Sequence, residues 1–203
     1  MPLPTASGSR SSLLAVTSSA LLRLLGWQPV LVDPPGPKGL IVVYPHTSNW
    51  DFPIGILYKS AVRLPARWMG KDTLFRWPIR GLMQRLGGIP VNRRAHTGFV
   101  EDMVAEFERH PWLWLVLAPE GTRARTDYWK SGFYRIALAA QLPLGLGFID
   151  YPTRRVGVDT YITLSGDEDA DLARIRAFYA DKRGVIPANR TEPRLREETT
   201  GSA

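Results

Sequence analysis

Gly39-Leu40-Ile41-Val42-Val43-Tyr44-Pro45-His46-Thr47-Ser48-Asn49-Trp50-Asp51 is the stretch on which the reading of this chain turns. Its first six residues are an apolar run of the length of a buried strand. Pro45 ends the run, and a short polar loop follows. Pro53 is compatible with a helix only in the first turn, so a helix is expected to start near Asp51. A histidine and a carboxylate thus stand five residues apart at the C-terminal edge of a strand, the edge where α/β folds gather ligands and reactive groups. On one regular helix, five residues advance the side chains by about 500°, leaving them roughly 140° apart. His46 and Asp51 can therefore meet only if His46 lies in the loop and Asp51 in the first helical turn. Two readings stay open at this point. A carboxylate orienting a histidine is the usual way to make a hydroxyl nucleophilic at neutral pH. Alternatively, Ser48-x-x-Asp51 is a capping box, or Asp51 an N-cap.

Outward from this stretch, strands and helices alternate. Towards the N-terminus, residues 1–12 are small and polar and read as disordered. Residues 13–32 read as an apolar helix, with its regular part over 13–26. It is too short for the roughly 20 residues that span a bilayer, and Arg23 inside the apolar run makes it a poor signal peptide. It suits either a core helix or a helix lying in a membrane surface. Asp33-Pro34-Pro35-Gly36-Pro37 is a stiff connector. Beyond Asp51, a helix is expected over 54–61, a short strand over 67–70, a helix over 73–86 interrupted at Pro78, and an extended piece over 89–92. An amphipathic helix through Arg109 follows. Residues 112–118 form the most apolar strand, expected at the centre of the sheet. A helix over 133–140, a strand over 142–151, an edge strand over 156–164 and a helix over 167–179 complete the pattern, and residues 181–203 read as a loose charged tail. The fold class is a single α/β domain, with a mixed, mostly parallel central sheet flanked by helices and an N-terminal apolar helix.

Composition narrows the chemistry. The 203 residues suffice for one well-buried core. Cysteine is absent, which excludes disulfides, thiolate metal sites and a cysteine nucleophile. The formal net charge is +7 and the pI about 10, favouring anionic partners. The positive residues are scattered and no nucleic-acid-binding motif occurs, so no nucleic-acid partner is expected. His96 and His110 do not stand at ligand spacing from His46, and no metal is expected.

A second group of polar residues follows the most apolar strand: Pro119-Glu120-Gly121-Thr122-Arg123. Glycine permits close backbone approach there, and arginine offers a planar fork for a phosphate. Arg93 holds the equivalent place after Ile89-Pro90-Val91-Asn92. Each arginine alone reads as a surface residue. With His46, they make a set of strand-edge groups suited to an anionic substrate.

The ordered blocks His46-x4-Asp51, Gly88-Ile89-Pro90-Val91-Asn92-Arg93 and Pro119-Glu120-Gly121-Thr122-Arg123 resemble those of the glycerolipid acyltransferase family, best known for 1-acylglycerol-3-phosphate acyltransferases. Trp129-Lys130-Ser131-Gly132 is similar to a further family element, and Leu142-Pro143-Leu144 is a weaker match. Pro45 stands where many members carry asparagine. The resemblance covers about residues 39–151 and implies an acyltransferase domain over 39–180. It implies transfer of a fatty acyl group from acyl-CoA or acyl-carrier protein to a lysophospholipid hydroxyl, foremost 1-acylglycerol 3-phosphate, without cofactor or metal. His46 would be the general base and Asp51 its orienting partner. Arg93 and Arg123 would bind the substrate phosphate. Glu120 and Thr122 would organise the pocket, and backbone N–H groups near Gly121 or at the start of the helix after His46 would stabilise the oxyanion. The resemblance also implies an anionic membrane surface as partner and a peripheral position on its cytoplasmic side. Other acceptors, a lipid or thioester hydrolase, and a non-catalytic basic membrane-binding module are the alternatives.

Overall fold

A computed structural model describes residues 9–91 and 98–196. Seven strands form one sheet in the order β1 (Gln28–Leu31), β7 (Arg155–Ile162), β6 (Leu144–Asp150), β2 (Lys38–Val43), β5 (Leu113–Leu117), β3 (Ala66–Lys71), β4 (Gly88–Val91). Every pairing is parallel except the β6–β7 hairpin. The strand of the opening stretch, β2, is therefore the middle one, flanked in parallel by β5 and β6.

The alternation of side chains along β2 divides the core in two. Leu40, Val42 and Tyr44 face one side, with Phe133, Ile136 and Tyr179. That side is covered by α4 (Phe99–Arg109), α5 (Gly132–Ala139) and α6 (Glu168–Tyr179). Ile41 faces the other side, with Leu22, Ile54, Tyr58 and Trp114. It is covered by α1 (Ser9–Leu24) and α2 (Asp51–Ala61). Burial on both faces explains why β2, β5 and β6 read as continuous apolar runs.

Several expectations are corrected. Helix α1 starts at Ser9, inside the segment read as disordered. It ends at Leu24, and β1 begins four residues later, so residues 13–32 are not one helix. Polar Gln28 and the adjacent Pro29 hid that strand, which forms by pairing with the distant β7, Gln28 opposite Arg155. Because β1 takes the sheet edge, β7 is interior. The expected helix over 73–86 is a 3₁₀ turn, Asp72–Phe75, and a separate six-residue helix, α3 (Arg80–Arg85). Pro78 lies between them, where its missing N–H would break a continuous helix.

Helix α1 buries a narrow stripe, Ala15, Ser18 and Leu22, and exposes Leu13, Leu14, Val16, Leu21 and Leu24. Among the described residues, no helix is long and apolar enough to cross a membrane. Residues 181–196 are not loose. They run back across the sheet edge, where Thr191 and Leu195 are buried and Leu195 bridges to Trp129.

Candidate active site

Three adjacent parallel strands, β6, β2 and β5, end side by side, and each is followed by a residue of one hydrogen-bonded cluster. The residues are Tyr151 after β6, His46 after β2 and Glu120 after β5. Asp51, the first residue of α2, lies at the centre.

Asp51 is almost fully buried, so its carboxylate needs partners for both oxygens. Oδ2 accepts the main-chain N–H groups of Thr47 (2.8 Å) and Ser48 (2.9 Å) and lies 3.1 Å from His46 Nδ1. Oδ1 accepts the Tyr151 hydroxyl at 2.8 Å. The geometry sets aside Asp51 as the N-cap but keeps one half of the capping box, since Asp51 Oδ2 reaches back to the Ser48 N–H while Ser48 Oγ accepts from Trp50 N–H at 3.2 Å. The N-cap position is Trp50, which makes no side-chain cap bond, and the Asp51 carboxylate is turned back onto the loop. Asp51 both folds the loop and orients the imidazole. With Nδ1 directed at the carboxylate, Nε2 is the nitrogen left for a ligand. The His46 side chain is 20% exposed against 1% for Asp51, so the ring is reachable while its partner is sealed.

Glu120 supports the loop from the other side. Its Oε2 accepts the His46 main-chain N–H at 2.8 Å, while Oε1 has no hydrogen-bond partner among the described residues. Burial raises the Glu120 pKa to about 8. The His46 and Thr191 N–H groups offset this in part, and nearby Asp51 adds to it.

The remaining residues of the block have different fates. Gly121, at φ 70°, makes the turn that ends β5, and its N–H donates to Ala118 O at 3.1 Å. That N–H, one of the candidate oxyanion donors, is engaged in the turn. Thr122 is exposed, and its hydroxyl accepts the Ala124 N–H at 3.3 Å. Arg123 is half-buried, and its Nε is buried without a hydrogen-bond partner among the described residues. Arg93 lies outside the described residues. No group of three or more His, Asp or Glu side chains among the described residues has the placement to hold a metal ion.

Two open concavities, of about 350 and 370 Å³, lie between the starts of α4 and α5 and along the connector 35–38, respectively. Neither is lined by His46.

The matching family model, described as Acyltransferase, aligns with residues 33–154, more than half of the chain. The chain belongs to the acyltransferase family. Among solved structures, the acyltransferase fold is similar to that of the 1-acyl-sn-glycerophosphate (LPA) acyltransferase PlsC from Thermotoga maritima. The TM-score is 0.56 at 17% identity, over 83% of this chain and 76% of that one. No curated protein matches the sequence.

Two parts of the acyltransferase's site escaped the sequence reading. Tyr151 is 100 residues from Asp51, and nothing local marks it. Its ring is held edge-on by buried Trp27 at 5.0 Å. The other is the segment after α6. Ile186 N–H donates to Thr47 Oγ1 and Asn189 Nδ2 to Thr47 O, both at 3.3 Å. Arg190 Nε donates to the Tyr44 hydroxyl at 2.9 Å, and Arg183 N–H to Asp150 Oδ1 at 2.8 Å. This strap fastens the histidine loop from outside. Thr191, Pro193 and Leu195 are buried in alternation with exposed Glu192, Arg194 and Arg196, but only Leu195 is strongly apolar and the charged residues dominate, which is why the segment read as a tail.

Proposed function

We propose that the enzyme moves a fatty acyl group from acyl-CoA or acyl-carrier protein to the hydroxyl of a lysophospholipid, with 1-acylglycerol 3-phosphate as the first acceptor to test. The observation that carries this reading is the 3.1 Å contact between His46 Nδ1 and the buried Asp51 carboxylate, at the edge of the middle strand of an acyltransferase-family domain. The Nε2 lone pair takes the acceptor hydroxyl's proton as its oxygen attacks the thioester carbonyl. Collapse of the tetrahedral intermediate breaks the C–S bond, and the imidazolium returns the proton to the departing thiolate. Asp51 fixes the tautomer and stabilises the imidazolium, the role a carboxylate plays beside any general-base histidine. General-base help of this kind is worth about 10²- to 10⁴-fold. Arg123 and Arg93 hold the acceptor phosphate.

The exposed leucines of α1 and the net charge of +7 support a peripheral position on the cytoplasmic face of an anionic membrane, where a lysophospholipid acceptor resides.

The test is an assay of the purified protein with a long-chain acyl-CoA or acyl-carrier protein against a panel of lysophospholipids, with and without acceptor. Acceptor-dependent ester formation that falls at least a hundredfold in His46→Ala is expected. Donor consumption independent of acceptor would identify a hydrolase. Turnover unchanged in His46→Ala would overturn the assignment.

A further inference from the structure

We propose that the connection from β3 to β4, residues 71–85, is a docking surface for an anionic phospholipid bilayer, separate from α1. This rests on the reading that the acceptor is a membrane lipid. The segment is Lys71-Asp72-Thr73-Leu74-Phe75-Arg76-Trp77-Pro78-Ile79-Arg80-Gly81-Leu82-Met83-Gln84-Arg85. A surface helix in a globular domain ordinarily buries one face. Here α3 buries none of its residues, and Phe75 is the only buried side chain between Lys71 and Arg85. Trp77 is 91% exposed and Leu82 55%, with Leu74 and Ile79 exposed beside them in sequence. None of these side chains belongs to the hydrogen-bonded cluster around Asp51, and nothing in the described domain covers them.

Charge selects the occupant. Lys71, Arg76, Arg80 and Arg85 are interleaved with the apolar residues and all exposed. The single acid, Asp72, accepts the N–H of Thr73 at 2.9 Å. A tryptophan and short aliphatic side chains among arginines match the headgroup layer of an anionic membrane. Indole sits at the boundary, aliphatic carbon enters the acyl region, and guanidinium groups pair with phosphates. A second copy of this chain would set the same positive charges against each other.

The position fits the use. The segment leaves β3 at the C-terminal end of a strand parallel to the rest of that side of the sheet, the edge that carries His46. Buried Phe75 anchors it by stacking on Trp68 (5.6 Å), and Trp68 meets Phe52 edge-on (4.8 Å). Phe52 follows Asp51 directly. Three rings thus tie the docking segment to the start of the helix that orients the histidine.

The test is co-sedimentation of the full chain with phosphatidylcholine vesicles, with and without phosphatidylglycerol, in the absence of acyl donor and acceptor. Trp77→Ala and the triple variant Arg76→Gln/Arg80→Gln/Arg85→Gln should each bind phosphatidylglycerol vesicles about tenfold or more weakly than wild type, with unchanged melting temperature. With brominated lipid in the vesicles, Trp77→Phe should lose part of the tryptophan quenching seen in wild type. Undiminished binding of Trp77→Ala, or identical quenching in Trp77→Phe, overturns the proposal. So does a lipid-free dimer that Trp77→Ala converts to monomer, since a second copy then covers the face. The readout involves no turnover. Absent acyl transfer with Trp77-dependent binding would remove the acceptor assignment and leave the surface standing.

Discussion

The Tyr151 hydroxyl donates to Asp51 Oδ1 at 2.8 Å, leaving Oδ2 to face His46 Nδ1 at 3.1 Å. The two oxygens of one buried carboxylate thus join the C-terminal ends of β6 and β2. Burial, and then the bond to Asp51, raises the pKa of the Tyr151 hydroxyl far above its ordinary value, so it stays a donor through the working pH range. In Tyr151→Phe, Oδ1 loses its donor while the ring keeps its contact with Trp27. The carboxylate is then held through Oδ2 alone, by the Thr47 and Ser48 N–H groups, and the imidazole is less firmly directed. A kcat reduced about 10- to 150-fold at unchanged KM is expected, the worth of one hydrogen bond to a charged group. Steady-state kinetics over a range of acceptor concentrations check this. A raised KM at constant kcat would place Tyr151 in substrate binding instead.

This bond also marks what the sequence could not disclose. The strand–loop–helix around His46 was legible because each signal is local: an apolar run, a proline that ends it, and a proline tolerated only in a first turn. The Glu120 turn was legible for the same reason. What was not legible depends on contacts between distant residues. Strand β1 is set by pairing with β7, Tyr151 by the parallel register of β6 against β2, and the strap by bonds to Thr47 and Tyr44. Each of those residues has an ordinary local context and acquires its role only once the sheet is assembled.

Glu120 makes stability depend on pH. Its pKa is near the ordinary carboxylate value in the unfolded chain and about 8 in the folded one, chiefly through burial. Between those values the folded state holds a proton that the unfolded state has released. Stability therefore falls as pH rises through that window. Glu120→Gln keeps an acceptor for the His46 N–H and removes the titration. The melting temperature of the variant minus that of wild type should become steadily more positive from pH 5 to about 8. A pH-independent difference would show that Glu120 ionises normally in the fold.

The strap contributes to stability through a buried hydroxyl. Tyr44 is fully buried, and its hydroxyl accepts Arg190 Nε, while Arg190 Nη2 donates to Tyr179 O at 3.1 Å. Arg190→Ala leaves that hydroxyl without its donor and should cost about 1–3 kcal/mol in urea unfolding. Tyr44→Phe removes the hydroxyl itself and should cost less. The double variant should fall short of the sum of the singles, because the Tyr44–Arg190 bond is lost only once. Additive costs would mean that the two residues act independently.

At Gly184 the strap leaves no room for a side chain beside the histidine loop. A Cβ at this position would stand 2.3 Å from Thr47 Oγ1 and 2.7 Å from its Cγ2. Thr47 has little freedom to yield. It is 1% exposed, its N–H is held by Asp51, its carbonyl by Asn189 and its hydroxyl by Ile186. Gly184→Ala must therefore lift the strap or push the loop that carries His46. Overpacking of this kind typically costs about 1–3 kcal/mol. Displacing a reacting group by about 1 Å can lower the rate about a hundredfold. A kcat loss of tenfold or more with a modest drop in melting temperature is the expected pattern. If the cause is this one steric contact, Thr47→Ala/Gly184→Ala should be more stable than Gly184→Ala alone, since alanine removes both colliding atoms. If Thr47→Ala lowers stability equally in either background, the clash is not the cause, and the glycine serves the strap's own conformation.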